Sequence, residues 1–171
     1  NATLSGAADE DVSVTLSTSG TAASTDFTLF TSLTITAGQT TTTADLNPTD
    51  DAIFEADETV IIDISAVSGG GATENGTQQQ TVTITNDDSA PTVTLATSAS
   101  SIAENAGSSL TLTATLSNPT NAAVTVTLST SGTATAGADY ASLSNITIAA
   151  GDTTGTTSFT PTDDNTFEGD E

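Results

Sequence analysis

An internal repeat constrains the fold of this chain more than any other feature of its sequence. Residues 16–22 read Leu-Ser-Thr-Ser-Gly-Thr-Ala and recur as residues 128–134, while Pro-Thr-Asp-Asp at 48–51 recurs 113 residues later at 161–164. Similarity at a fixed offset over dozens of residues indicates duplicated modules. An offset of this length exceeds the unit of a solenoid and fits a complete β-sandwich of about 100 residues.

The phase of the repeat predicts two incomplete modules. The first copy has no counterpart of residues 91–112, and the second has none of residues 59–88. We therefore expect a piece of a longer tandem array. One module covers residues 1–90 and lacks its N-terminal strands, and the other covers residues 91–171 and lacks its C-terminal strands. A neighbouring chain that supplies the missing strands is the alternative.

Apolar residues alternate with Thr and Ser through much of the chain, as in Val12–Leu16 and Val124–Leu128. A period of two marks strands with one buried and one wet face. It outweighs the disorder that 35% hydrophobic residues and a charge of −22 would otherwise indicate. The pattern predicts an all-β chain of tandem immunoglobulin-like antiparallel sandwiches, with about seven strands per module. Across both copies the predicted strands are residues 92–96, 110–116, 124–129, 143–148, 154–160, 59–67 and 80–85.

The composition removes whole classes of function. The chain has no Lys, Arg, His or Cys against 22 Asp and Glu residues. Disulfides, thiolate sites, imidazole bases and nitrogen-ligated zinc sites are therefore excluded, and without positive charge we expect no nucleic-acid partner. No apolar run approaches 18 residues, so we expect no direct membrane insertion. The carboxylates must repel one another, face water or bind a cation from outside the protein.

The acidic residues gather beside the ends of predicted strands. In an antiparallel sandwich the A–B, C–D and E–F loops and the end of strand G share one pole. The acids at this pole are Asp50, Asp51, Glu55, Asp57 and Glu58, their copies Asp163, Asp164, Glu168, Asp170 and Glu171, and Asp26, Asp87, Asp88, Glu104 and Asp139. Calcium takes about six to eight oxygen ligands, so the pole predicts a calcium site. Solvated turn acids are the alternative, and this is our interpretation of Asp9–Asp11.

Several motifs, in order along the chain, resemble the Calx-beta family. Ser101–Gly107, which reads Ser-Ile-Ala-Glu-Asn-Ala-Gly, is similar to the family's opening motif, and Gly132–Tyr140 is similar to its middle motif. Ala150–Asp152 together with Phe167–Glu171 resembles its late motif. Calx-beta domains are calcium-binding modules of sodium–calcium exchangers and of bacterial surface proteins. The resemblance implies immunoglobulin-like sandwiches that bind Ca2+ at one pole.

The resemblance also implies a set of calcium ligands in each copy. In the first copy they are Asp26, Asp50, Asp51, Glu55, Asp87 and Asp88, and in the second they are Glu104, Asp139, Asp163, Asp164 and Glu168. The first copy lacks an equivalent of Glu104, and the second lacks equivalents of Asp87 and Asp88. Neither ligand set is therefore complete within these residues.

From these features we expect a calcium-binding structural repeat of a long extracellular adhesin or surface fibre, in which calcium stiffens the modules and their junctions. The expected partners are neighbouring modules of the same array and other copies in a filament, at a bacterial cell surface, because the chain has no cysteine. A calcium-sensing regulatory module and an accessory domain of a large secreted enzyme are the alternatives. We expect no catalysis by these residues, because six aromatic side chains leave little to stack on a sugar.

Overall fold

The computed structural model describes residues 1–166 and residue 169, and these form antiparallel strand pairs joined by turns. The strands are β1 (Ala2–Thr3), β2 (Val12–Gly20), β3 (Phe27–Leu29), β4 (Ser32–Ile35), β5 (Thr41–Thr42), β6 (Leu46–Pro48), β7 (Glu58–Ser68), β8 (Gln79–Ile84), β9 (Val93–Thr97), β10 (Leu110–Leu116), β11 (Val124–Val126), β12 (Ile146–Ile148) and β13 (Thr154–Phe159). The predicted all-β antiparallel fold class is confirmed.

The described chain divides into two compact units. The first contains residues 1–51 and 56–86, and the second contains residues 52–55 and 87–171. No described segment is a helix with the length and hydropathy needed to cross a membrane.

The main sheet of the first unit has the strand order β4-β2-β7-β8. The alternation in β2 directs Val12 and Val14 to one face, where Val14 pairs with Leu33 and Val12 pairs with Ile35. All four side chains are buried and form the centre of the core. Burial of each such side chain stabilises the unit by about 1.5–3 kcal/mol. The pairs β1–β5 and β3–β6 form two small additional sheets.

The second unit has a three-stranded sheet of order β13-β10-β9 and a separate pair β11–β12. Leu112, Ala114 and Leu116 alternate along β10 and are buried against Ile146 and Ile148 of β12. Thr residues occupy the other positions of β10 and face outward in the same register. The core of this unit therefore lies between β10 and β12.

A glycine on β13 permits the close approach of β12. Gly155 pairs with Ala114 on β10, and a Cβ atom at Gly155 would lie 2.6 Å from the carbonyl oxygen of Thr147 and 2.8 Å from Cγ2 of Ile146. Any larger residue would have to push the two strands apart. Gly155 is therefore required by packing.

The observed strands agree with the predicted ones where a strand has a partner along its whole length. Strand β10 has the predicted bounds of 110–116, whereas β11 ends at residue 126 and β12 begins at residue 146. In the first copy β2 reaches residue 20 because β7 pairs with it as far as Gly20. Strand β11 pairs with β12 alone, so its continuation has no ladder to join although its apolar alternation persists.

Candidate metal centre

The loop that follows β2 is held against the first residues of β7. Gly20 ends β2 with a φ of +122°, and a Cβ atom there would overlap the carbonyl oxygen of Thr59. The amides of Thr21 and Ala22 donate to that oxygen at 3.0 and 3.1 Å. The Thr59 amide donates to Oγ1 of Thr21 at 2.8 Å. These bonds bring the loop over residues 21–26 beside Glu58, the first residue of β7.

Hydrogen bonds within the loop orient the carboxylate of Asp26. The Ala23 amide donates to Oδ2 at 2.5 Å and the Thr25 hydroxyl donates to Oδ1 at 2.9 Å. The Asp26 amide closes the turn on the carbonyl oxygen of Ala23 at 3.1 Å, and the Thr49 amide donates to the Asp26 carbonyl at 2.8 Å. Asp50 follows Thr49 directly, so this bond places the backbone of a second predicted ligand close to Asp26.

Asp26, Glu55 and Glu58 form the acidic cluster, in which one carboxylate oxygen from each residue lies within 4.8 Å of the others. All three side chains are half-buried. Asp26 and Glu58 both belong to the first unit, and their side chains are hydrogen-bonded to each other. Two carboxyl groups can make such a bond only when one of them holds a proton.

The surroundings of Asp26 favour its ionised form. Partial burial acts to raise the pKa of Asp26, but hydrogen bonds from Thr25 and Ala23 and the bond with Glu58 act in the other direction and hold this pKa below its usual value of 3.8. Asp26 is therefore the acceptor in its bond with Glu58, and the shared proton belongs to Glu58. A cation bound to both oxygens would replace that proton.

The second unit builds the same connection around Asp139. The Thr135 amide donates to Oδ2 of Asp139 at 2.5 Å, and the Thr162 amide donates to the Asp139 carbonyl at 2.9 Å. Tyr140 forms an antiparallel bridge with Pro161. The corresponding pairs of the first unit lie 113 residues earlier, so the two copies place these aspartates in the same backbone setting.

Glu104 lies next to the repeated Pro-Thr-Asp-Asp segment of the second unit. It begins a short 3-10 turn, Glu104–Ala106, and its Oε1 accepts a hydrogen bond of 3.1 Å from the Asp164 amide. Oδ1 of Asp164 in turn accepts the Thr166 amide at 2.5 Å. The structure thus brings together an acid from the A–B loop and one from the E–F loop, which the sequence separates by 60 residues.

The second unit does not reproduce the carboxylate spacing of the acidic cluster within the described residues. Glu104, Asp139, Asp163 and Asp164 do not form a described group of three carboxylates within 4.8 Å. Glu168, the remaining predicted ligand of this copy, lies outside the described residues.

Glu58 belongs to the acidic cluster although the predicted ligand set did not include it. The sequence placed it in the acidic run before strand F, and the predicted strand began one residue later at Thr59. Because β7 starts at Glu58, the side chain of this residue is fixed by the ladder, where it pairs with Ile84. The run of acids directly before the strand was the signal available in the sequence.

The other predicted ligands of the first copy lie outside the acidic cluster. Asp50 and Asp51 continue the chain beyond Thr49, and Asp51 is exposed. Asp87 and Asp88 continue the chain beyond Asn86, whose amide donates to Oδ1 of Asp57 at 3.0 Å. That bond ties the residues directly before β7 to the end of the segment that follows β8.

The donor atoms of the acidic cluster fit calcium. Each of its three residues offers a carboxylate oxygen, and calcium prefers hard oxygen ligands at flexible coordination numbers. Backbone carbonyls and water can complete a shell of about six to eight ligands around such a group.

Comparison with protein families gives the same result across both copies of the repeat. The chain matches the Calx-beta domain twice, over residues 2–88 and 86–171. A search of curated proteins gave no match. The two matches confirm the tandem Calx-beta arrangement that the sequence motifs predicted. The chain therefore belongs to the Calx-beta family.

Proposed function

We propose that this chain is a calcium-binding structural repeat and that the acidic cluster is one of its calcium sites. The observation that supports this most strongly is the contact between Asp26 and Glu58. The chain has no Lys, Arg or His side chain to neutralise such a pair. A bound divalent cation removes the repulsion and satisfies both carboxylates.

In this proposal the fold positions the ligands and calcium links them. The hydrogen bonds at Thr59 hold the loop of Asp26 against β7, and the ladder of β7 fixes Glu58. Calcium supplies positive charge and coordination bonds between these two elements. The proposed ligands of the first copy are Asp26, Glu55 and Glu58, with Asp50, Asp51, Asp87 and Asp88 as further candidates, and those of the second are Glu104, Asp139, Asp163, Asp164 and Glu168.

The larger role that we propose is that of a repeat in an extracellular adhesin or surface fibre of a bacterium. Calx-beta is a non-catalytic family whose domains are typically extracellular or surface-exposed. The proposed partners are neighbouring modules and other copies in a filament. Calcium that binds only the native state stabilises it by RT ln(1 + [L]/Kd), so millimolar extracellular calcium keeps sites with a Kd of about 10⁻⁴–10⁻³ M occupied.

A calcium titration of the purified protein tests this proposal. Isothermal calorimetry and thermal unfolding in EDTA and in calcium should give binding and a higher Tm with calcium. Asp26→Asn should weaken binding at least tenfold, whereas Asp45→Asn, which removes the same charge from an exposed position of the same unit, should leave it unchanged. An identical Tm in EDTA and in 5 mM calcium would refute the proposal, and a midpoint near 1 μM would favour a sensor instead.

A further inference from the structure

Strand β9 is an edge strand whose core-facing side chains are uncovered. All five of its residues are exposed, including Val93 at 46% and Leu95 at 54%. Leu95 pairs with Ala114 and Val93 pairs with Leu116 on β10, and paired residues point to the same face of a sheet. Val93 and Leu95 therefore extend the apolar face that β10 buries.

The free edge of β9 also presents unpaired backbone groups. The Ser98 amide donates to the Thr111 carbonyl, and the Ser117 amide donates to the Thr92 carbonyl. Because antiparallel pairs alternate between bonded and non-bonded positions, the even-numbered residues of this segment direct their backbone groups toward β10. Val93, Leu95 and Thr97 direct theirs away from it, toward the free edge.

The strand lacks the features that protect an exposed edge. It reads Val-Thr-Leu-Ala-Thr, with no charge, no proline and no glycine, and edges of this kind pair readily with another strand. No Asp or Glu occurs anywhere in the sheet β13-β10-β9, although the chain carries a charge of −22. Two copies repel each other over their acidic surfaces, and this sheet is a surface on which they can approach without opposing carboxylates.

We propose that β9 binds β9 of a second copy of this chain in an antiparallel, two-fold symmetric pair. Leu95 lies on the two-fold axis and faces its own symmetry mate, while Val93 faces Thr97. This register uses the backbone groups that point to the free edge and pairs two exposed leucines on the apolar face. The contact is isologous and gives a closed dimer with a continuous sheet. It does not involve the acidic cluster, so it stands or falls independently of calcium binding.

Sedimentation equilibrium in EDTA tests the mass of the assembly. We expect a reversible monomer–dimer equilibrium between 16.8 kDa and twice that mass. The dimer should strengthen from 0.05 to 0.5 M NaCl, because salt screens the repulsion between two acidic chains. A monomer at all concentrations up to about 1 mM in 0.5 M NaCl, or species that grow beyond the dimer, would overturn the proposal.

A pair of matched variants locates the interface. Leu95→Glu places two carboxylates opposite each other at the two-fold axis and should weaken dimerisation at least tenfold. Val82→Glu adds the same charge at an exposed apolar position of β8, the edge strand of the first unit, and should change it less than threefold. An equal loss in both variants, or no loss in Leu95→Glu, contradicts the β9 pair.

A distance measurement keeps the test independent of variant folding. The chain has no cysteine, so Leu95→Cys gives a single labelling site for a nitroxide. Opposed Cα atoms in a bonded antiparallel pair are about 5.5 Å apart, and the two labels should therefore lie within about 20 Å of each other. Labels at Val82→Cys should give no distance in that range. A dimer without the short distance at position 95 would refute the register.

Discussion

At the scale of single residues, the bonds around Asp26 fix both its orientation and its charge. The donors on Ala23 and Thr25 occupy one position each on its two carboxylate oxygens, and the second lone pair of each oxygen is still available to a ligand. The same donors hold the pKa of Asp26 below its usual value. A carboxylate that is held in place and stays ionised is well suited to bind a cation.

Glu58→Gln should have opposite effects with and without calcium. The Gln amide can donate to the Asp26 carboxylate without a proton or a cation, so in EDTA the variant should gain about 1 kcal/mol and roughly 2–4 °C in Tm. It should also show a smaller rise in Tm on addition of calcium. Differential scanning calorimetry of the variant beside Glu10→Gln, an exposed control in the same unit, would check both signs.

Thr25→Ala should make the protein more sensitive to acid. The folded-state pKa of Asp26 is depressed, so its stabilisation is present above about 3.8 and is lost as pH falls through the lower folded-state value. Loss of the Thr25 hydroxyl raises that value toward 3.8, and the stabilisation should disappear at a higher pH. Carbon-detected NMR titration of Asp26, with Ser24→Ala as the control, measures this directly. An unchanged titration midpoint would contradict the role given to Thr25.

At the scale of elements, side-chain alternation identified the strands, but the hydrogen-bond partners set their lengths. Strand β10, which pairs on both edges, has the predicted bounds. Strand β11 is shorter than predicted because β12 alone pairs with it. The grouping of Asp26 with Glu58 was also beyond the sequence, because it depends on the bonds between the loop at Thr21 and the start of β7. Alternation reports which face is buried and carries no information about such bonds.

Gly155→Ala should destabilise the second unit through packing alone. The added methyl group would meet the Thr147 carbonyl and the side chain of Ile146 at distances below 3 Å, and overpacking of this kind costs about 1–3 kcal/mol. Gly6→Ala, where a Cβ atom meets nothing within 4 Å, is the control. Urea unfolding should show a lower midpoint for Gly155→Ala only. Equal midpoints would mean that β12 and β13 separate without cost.

At the scale of the whole molecule, the charge of −22 makes stability depend on the surrounding solution. Self-repulsion of an acidic chain destabilises its compact state, and no Lys, Arg or His side chain offsets it. The composition already predicted this dependence, and the repeat predicted that both copies would share it. What neither could predict is that only the first copy has three described carboxylates at ligand spacing.

Monovalent salt should therefore raise Tm in EDTA and reduce the additional effect of calcium. Screening at 0.5 M NaCl shortens the Debye length to about 4 Å, which weakens repulsion between carboxylates across the surface and also weakens their attraction for calcium. Thermal unfolding over a matrix of NaCl and calcium concentrations would measure both trends. A Tm that falls with NaCl in EDTA would indicate that repulsion is not the dominant electrostatic contribution.

The amides of Thr49 and Thr162 donate to the carbonyls of Asp26 and Asp139, one in each copy of the repeat. Each of these two protons can exchange with deuterium only when its bond opens, so their exchange rates are two separate clocks for the loops that bear the aspartates. A ligand that ties down only the first loop would slow the clock at Thr49 and leave the one at Thr162 unchanged. One molecule thus contains both the reporter and its reference.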